Sequence, residues 1–401
     1  MRSVPAVVIE GPRACGKTTT GREHARSEVM FGSDAAARLV AQIHSEAILE
    51  GPEPRLLDEW QLAPHIWNQV RAAGDDGRRP GRFILTGSAV PADDVTRHSG
   101  AGRITRVRMR PMSLYECGLS TGEVSLAGLF ASSSGYVERP DATLPDLIEA
   151  ACRGGWPATL DLDTRSAQDY AVSYLSEICR ADIPLLGGPS RDPIGVDRLL
   201  RSLARNVSTE ASQRTLARDA GDENPLDPRT VAAYLDALRR VYVVEDQPAW
   251  SARLRSRTLL RQSAKRHLVD PSLAAAALHA DPGRFWSDLG SFGLLFESMV
   301  VRDLRIYAQS ARARVAHYRD SAGLEIDGIV ERRDGAWIAI EIKLGGDKAV
   351  DAAASALLRL RRKVDPDHVG RPSNLVVVTS GGFGYLRPDG VQVIPITVLG
   401  P

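Results

Sequence analysis

The stretch Gly11-Pro-Arg-Ala-Cys-Gly16-Lys17-Thr18 constrains this chain more than any other, because it joins the apolar run Ala6, Val7, Val8, Ile9 to a helix-compatible segment. A strand that passes into a helix through such a loop turns several main-chain N–H groups toward one point. The partial positive charge of the helix N-terminus adds to them, and together they hold an anion. Lys17 is placed to reach the β- and γ-phosphates of a nucleoside triphosphate and Thr18 to hold Mg²⁺. The expected contact residues are Gly11, Pro12, Arg13, Ala14, Cys15, Gly16, Lys17, Thr18 and Thr19. The bland alternative is a structural glycine turn.

A second element belongs with the first. Arg55-Leu-Leu-Asp58-Glu59-Trp60-Gln61 reads as a short apolar strand ending in two acids. In that setting Asp58 holds Mg²⁺ through Thr18 and water, and Glu59 polarises the attacking water. Without the loop, the same residues would be a solvated strand end. Glu59 favours hydrolysis over transfer to a metabolite. Arg82-Phe-Ile-Leu-Thr86-Gly87-Ser88 is another buried-type strand, whose Ser88 hydroxyl either senses the γ-phosphate or sits in a simple turn. After Ser99-Gly-Ala-Gly102 come Arg103 and a strand with Arg106, Arg108 and Arg110 on alternate residues, one face cationic and the other apolar. Arg103 is the candidate transition-state arginine, which supplied in trans requires at least a dimer. Ordinary surface arginines are the alternative.

Apolar runs near 6–10, 28–31, 55–58, 82–87 and 104–109 alternate with helical stretches, the pattern of a parallel sheet covered on both faces. The loop then lies at the carboxyl end of its strand, where open α/β sheets bind ligands. Residues 120–143, rich in Ser, Gly, Pro and Ala, read as a linker or mobile loop, and 144–182 as helical. Between 191 and 250 short helices precede a small β element. In the helix over Pro228–Arg240, Val231, Leu235 and Leu238 share one face, a helix-turn-helix pattern that would show Arg229 and Tyr234 to a groove. Arg253, Arg255, Arg257, Arg261, Lys265 and Arg266 follow, with no acid from Ser251 to Val269. Such a run neutralises phosphates without reading sequence. The competing reading is a packing module with a solvated strand and loop.

The last third holds another constellation. An amphipathic helix over 294–308 carries Glu297 among apolar positions, and two strands follow with Asp327 and with Glu341-Ile342-Lys343. Adjacent strands can bring Asp327 and Glu341 onto one divalent cation while Lys343 positions the attacking water. The arrangement resembles the restriction-endonuclease-like nuclease core: an Asp, a variable gap, Glu-x-Lys, and a helical Glu upstream. All of those positions are filled by Glu297, Asp327, Glu341 and Lys343. That fold also survives in proteins that do not cleave, so a nuclease and a retained binding fold both stand.

The series GPRACGKTT, LLDEWQ, FILTGS and GAGRITRVRMRPMSLYE resembles the AAA-type bacterial and archaeal ATPases that carry a conserved C-terminal domain of unknown function. The likeness continues through Gly154-Gly155-Trp156-Pro157, Tyr174-Leu175 with Asp182, Thr230 to Leu235, His267-Leu-Val-Asp270, and the segment from Gly293 to Lys343. It implies ATP and Mg²⁺ as ligands, and hydrolysis as the reaction. One departure is that relatives have a helical segment before the first strand, whereas Met1 here lies almost on it.

The expected fold is α/β: a P-loop NTPase parallel sheet, a helical and winged-helix segment, and a C-terminal α/β restriction-endonuclease-like domain. The expected divisions are 1–120 for the AAA-type core, 121–190 for linker and helices, 191–265 for the winged-helix-like part and 266–401 for the last domain.

Fifty-one basic and fifty acidic residues leave a net charge of +1, so any nucleic-acid contact must rest on a local patch such as 229–266. Cys15, Cys117, Cys152 and Cys179 have neither zinc nor disulfide-framework spacing, which suits a reducing cytoplasm. A helix N-terminus can make a thiol such as Cys15 reactive, or Cys15 is only a tolerated small residue. No stretch has the length of a membrane span. Two classes of function follow. One is an ATPase that moves a DNA-facing, nuclease-like module. The other is a nucleotide-controlled protein-interaction switch in which ATP orders 120–143 and the C-terminal fold only docks. A homo-oligomer is a candidate assembly for either.

Overall fold

A computed structural model describes residues 4–75, 79–89, 99–131, 141–186, 191–221, 225–251 and 263–401. The chain divides into two compact units. Unit one takes Met1–Pro111, Ile178–Arg191 and Leu235–Val243; unit two takes Met112–Glu177, Asp192–Tyr234 and Val244–Pro401.

Unit one opens with β1 (Ala6–Glu10), α1 (Lys17–His24), β2 (Ser27–Met30), α2 (Ala35–Ile43) and β3 (Arg55–Asp58). It continues with α3 (Ile66–Ala73), β4 (Phe83–Gly87) and β5 (Ile104–Arg108). The strands pair in parallel in the order β2-β3-β4-β1-β5, with Ala6 opposite Phe83 and Ile104. The central strands are apolar up to their polar ends because both faces are covered. Val8, Phe83 and Leu85 pack with Trp60, Trp67 and Val70 on one face, and Ile9, Leu56 and Ile84 cluster on the other. α1 comes so close to the sheet that a Cβ on Gly21 would stand 2.8 Å from Leu56 Cδ1.

β5 departs from the expected two-faced strand. It is at the sheet edge, and Val107, on the face expected to be apolar and covered, is 43% exposed. Its arginine face is only partly covered. Arg106 stacks 5.1 Å over Trp67 and pairs with Glu10 at 2.7 Å, while Arg108 lies 4.0 Å over Tyr242.

Next along the chain are β6 (Val124–Ser125), α4 (Leu144–Arg153), α5 (Thr164–Glu177), a π-turn over Ile178–Asp182, and α6 (Ile183–Leu185), the last two in unit one. Then come α7 (Pro193–Arg205), α8 (Gln213–Asp219), α9 (Pro228–Arg240), β7 (Val244–Gln247) and β8 (Lys265–Leu268). α10 (Pro271–Ala277), α11 (Pro282–Ser287) and α12 (Leu289–Ser310) lead into β9 (Ala313–Arg319), β10 (Glu325–Arg332) and β11 (Trp337–Lys343). The chain ends with α13 (Asp347–Lys363), α14 (Pro366–Val369), β12 (Asn374–Thr379), β13 (Tyr385–Leu386), β14 (Gln392–Pro395) and β15 (Leu399–Gly400). A mixed sheet in the order β13-β14-β12-β11-β10-β9 buries Ile326, Ile329, Trp337 and Val377 against Leu357 and Leu360 of α13.

Three expectations change here. The described part of the presumed linker, 120–131, is ordered structure. Val124, Leu126 and Leu129 are buried, β6 pairs with β15, and Asn374 Nδ2 donates to the Leu129 carbonyl at 2.7 Å; residues 132–140 lie outside the described residues. Tyr234 does not face a groove: it is 7% exposed, and its hydroxyl accepts from Asp192 N at 3.2 Å, whereas Arg229 is exposed. The compact units also cut the chain differently from divisions at 120, 190 and 265, since Met112 onward already belongs to unit two.

The reason is a buried polar network. Arg302 Nη1 pairs with Asp270 and Nη2 with Asp303, each at 2.8 Å. Asp303 accepts from Leu114 N at 2.9 Å and Asp270 from Gly155 N at 3.1 Å. A Cβ on Gly155 would fall 2.0 Å from the Met112 carbonyl oxygen, so only glycine allows the two segments to pack there.

Candidate functional site

The loop after β1 folds as its glycines require. Gly16 caps α1 at φ 95°, a conformation that L side chains resist, and Ala14 is held at φ 59°. Lys17 is 5% exposed and donates to the Pro12 carbonyl at 2.6 Å, across the loop. Burial pushes its ammonium pKa down. Among the described residues it has no ion pair, so the charge is desolvated and available to an incoming anion. Cys15 is fully buried, and burial raises its thiol pKa against the lowering effect of Lys17, which makes it an inert thiol rather than a reactive one. Arg13 pairs with Asp182 at 2.8 Å.

The sheet order explains what lies beside the loop. β4 stands between β1 and β3, so the hydroxyls at its end fall between the loop and the acids. Asp58 Oδ1 accepts from Thr18 Oγ1 and from Thr86 Oγ1, both at 2.6 Å. Thr86 Oγ1 in turn accepts from Glu59 N at 3.0 Å, which fixes Glu59 at φ 54°. The Glu59 carboxylate accepts from Ser88 Oγ at 2.9 Å and from Gln61 Nε2, and Gln61 Nε2 also lies 3.2 Å from Ser88 Oγ. Thr18, Asp58, Glu59 and Ser88 therefore meet at one edge. A hydroxyl and one carboxylate, both hard oxygen donors, suit Mg²⁺ carried largely by nucleotide phosphates. Arg103 is elsewhere. It begins β5 at the amino edge of the sheet, where its carbonyl accepts from Ala6 N and its guanidinium pairs with Asp75 at 2.5 Å.

Sequence reading missed Gln61 and Thr86 as partners of these acids. A period-two reading of Trp60-Gln61 after the strand gives no hint that a glutamine amide turns back onto Glu59.

The second centre is also assembled, with a different outcome. Gly328 pairs with Ile340, which sets Asp327 and Glu341 at neighbouring positions on β10 and β11. The β9–β10 register slips between Ile326 and Ile329, so Asp327 and Gly328 together oppose His317 in a bulge that re-aims Asp327. Lys343 Nζ lies 2.7 Å from Glu341 and 3.0 Å from Asp327, and Ile342 N donates to Asp327 at 2.9 Å. The unexpected member is Lys265 of β8, 1% exposed, with its Nζ at 2.8 Å from Glu297, 2.9 Å from Glu325 and 3.3 Å from Asp327.

Lys265 therefore belongs to an internal ion cluster and not to a phosphate-binding surface. The guanidinium of Arg266 is turned to the Ala211 carbonyl. Arg253, Arg255, Arg257 and Arg261 lie outside the described residues. Burial, with Asp327 nearby, raises the carboxyls of Glu297 and Glu341 to about 8. Among the described residues no group of three or more acids, histidines or cysteines is arranged to hold a metal ion. The oxygens expected to ligate a divalent cation face two ammonium groups instead.

A polar chain steadies the bulge. Gln247 Nε2 donates to the carbonyls of Ala316 at 3.0 Å and Asp327 at 2.8 Å. Its Oε1 lies 3.0 Å from His267 Nε2, and His267 Nδ1 lies 3.1 Å from Ser298 Oγ. With the amide hydrogens so used, His267 Nε2 carries the proton and Nδ1 accepts.

Comparison with known proteins agrees with this layout. Residues 3–118 match the family described as AAA domain, and residues 292–399 a domain of unknown function (DUF4143). Between them, residues 144–284 match another domain of unknown function (DUF8612), across the divisions expected at 190 and 265. The chain thus carries an AAA domain at its amino end and a domain of unknown function at its carboxyl end. It is similar over 406 residues to the uncharacterized proteins Mb2031c of Mycobacterium bovis and Rv2008c of Mycobacterium tuberculosis. Each is 26% identical, over 98% of this chain and 81% of the relative. Among the described residues no helix is long and apolar enough to cross a membrane.

Proposed function

We propose that the protein is a Mg²⁺-dependent ATPase. The observation that carries this reading is the 2.6 Å contact of Thr18 with Asp58, with Glu59 held next to it by Thr86, Ser88 and Gln61. Lys17 neutralises the phosphate tail, and Thr18 and Asp58 hold Mg²⁺, whose charge offsets that of the phosphates when it is bound. Glu59 orients and deprotonates the attacking water, a role that requires its carboxylate to leave Ser88 or share it with that water. Arg103 acts from a second copy, because in its own copy it lies at the opposite sheet edge from the loop.

Magnesium-dependent phosphate release tests the assignment. Glu59→Gln is expected to lower the rate by about 10²–10³-fold while nucleotide still binds. Equal rates would remove Glu59 from catalysis.

For the C-terminal domain, the Lys265 ion cluster favours the reading of a docking module without nuclease activity, moved by the nucleotide cycle. DNA incubated with Mg²⁺ or Mn²⁺ should stay intact; cleavage that disappears in Asp327→Ala would restore the nuclease.

A further inference from the structure

We infer that the Lys265 ammonium is the resident cation of the C-terminal acidic centre and that this centre excludes divalent metals. A metal such as Mg²⁺ or Mn²⁺ needs carboxylate oxygens converging at about 2.0–2.2 Å on a position free of other cations. Here the oxygens of Glu297, Glu325 and Asp327 converge instead on Lys265 Nζ at 2.8–3.3 Å. The remaining Asp327 oxygen and Glu341 converge on Lys343 Nζ. An added divalent ion would stand against two like charges in a largely buried site.

The main chain that carries Lys265 is also fixed in place. Lys265 pairs through its backbone with Gln247 across the β7–β8 ladder, and Gln247 is tied by its side chain to the bulge carbonyls of Ala316 and Asp327. Strand β8 therefore delivers the ammonium into the centre as a fixed part of the fold. The Asp…Glu-x-Lys pattern is complete, yet a lysine from outside that pattern fills the cation's place. The centre holds α12, β8, β10 and β11 together electrostatically. This inference concerns the C-terminal domain alone and stands whether or not the amino-terminal site hydrolyses ATP.

Mn²⁺ uptake by the full-length, nucleotide-free protein, followed by the EPR signal of the free ion, tests it. Wild type and Asp327→Asn are expected to take up Mn²⁺ equally. Lys265→Ala is expected to gain a site at least about tenfold tighter than any in wild type, because one repelling charge is gone. That site should vanish in the double variant Lys265→Ala/Asp327→Asn. Mn²⁺ bound by wild type and lost in Asp327→Asn overturns the inference. So does a folded Lys265→Ala that gains no Asp327-dependent site. Should Lys265→Ala fail to fold, the wild-type and Asp327→Asn comparison decides alone.

Discussion

Lys17 and Lys265 are both buried ammonium groups, 5% and 1% exposed, placed beside acids, and their surroundings set them apart. Lys17 donates to a carbonyl across its loop, and burial pulls its pKa down. Burial opposes the charge on Lys265 as well, but Glu297, Asp327 and Glu325 outweigh it and raise its pKa. The acids near Lys17 are satisfied by hydroxyls of Thr18, Thr86 and Ser88, which can turn away toward a ligand. The acids near Lys265 are satisfied mainly by the two lysines, with Ile342 N also donating to Asp327. A desolvated cation without a carboxylate partner is a binding site; a desolvated cation saturated with carboxylates is structure.

The largest expected effect breaks or upholds that contrast directly. Lys265→Met leaves buried carboxylates without their counter-charge and should cost about 3–5 kcal/mol of stability. Lys17→Met removes a charge that burial already penalises, so stability should hold or rise slightly while nucleotide affinity is lost. Urea denaturation of the two variants, with a nucleotide titration beside it, measures both. Equal destabilisation would mean that the two lysines are not differently held.

The histidines around the second centre sharpen the comparison by pH. Burial lowers His317 from 6.5 to about 4 and His267 well below 6.5, the Lys265 charge adding to both effects. A folded-state pKa below the unfolded value gives stability that is present above pH 6.5 and is lost as pH falls toward 4. His317 alone should account for about 2 kcal/mol lost between pH 7.5 and 5. His317→Gln, which keeps an N–H for the Ser263 carbonyl, should flatten that part of the urea-stability profile. An unchanged slope would show that His317 is not buried neutral.

What the sequence made legible, and what it hid, follows the same division. The strands of unit one were readable because continuous apolar runs such as Ala6–Ile9 and Phe83–Leu85 are what a doubly covered parallel sheet demands. The closeness of Thr18 to Asp58, and of Asp327 to Glu341 and Lys343, was also readable, since motif order fixes which strand ends meet. Lys265 was hidden because it sits among arginines in a run with no acids, and its counter-charges come from α12 and β10, thirty or more residues away in the chain. Its placement depends on the phase of β8, which turns Lys265 and His267 inward and leaves Arg266 less buried. The bulge at Asp327-Gly328 leaves no mark in a period-two pattern, because Ile326 and Ile329 read as ordinary core residues. Tyr234 shows the opposite error, an aromatic at an apparently outward helical position whose hydroxyl has a backbone partner to satisfy.

The smallest of the expected effects probes the hydroxyl that lets the first site stay open. Thr86 is fully buried on β4, donates to Asp58 at 2.6 Å and accepts from Glu59 N at 3.0 Å. Thr86→Val keeps the shape and removes both bonds, leaving a buried carboxylate oxygen with one donor fewer and a backbone N–H without its acceptor. The stability cost should be about 1–2 kcal/mol, by urea denaturation. Glu59, held at φ 54° through that N–H, should lose its fixed aim, so phosphate release should fall while nucleotide affinity, set by the loop and Lys17, holds. A Thr86→Val protein with wild-type turnover would mean that the hydroxyl bridge between Asp58 and Glu59 only fills space, and that the acids orient themselves once nucleotide arrives.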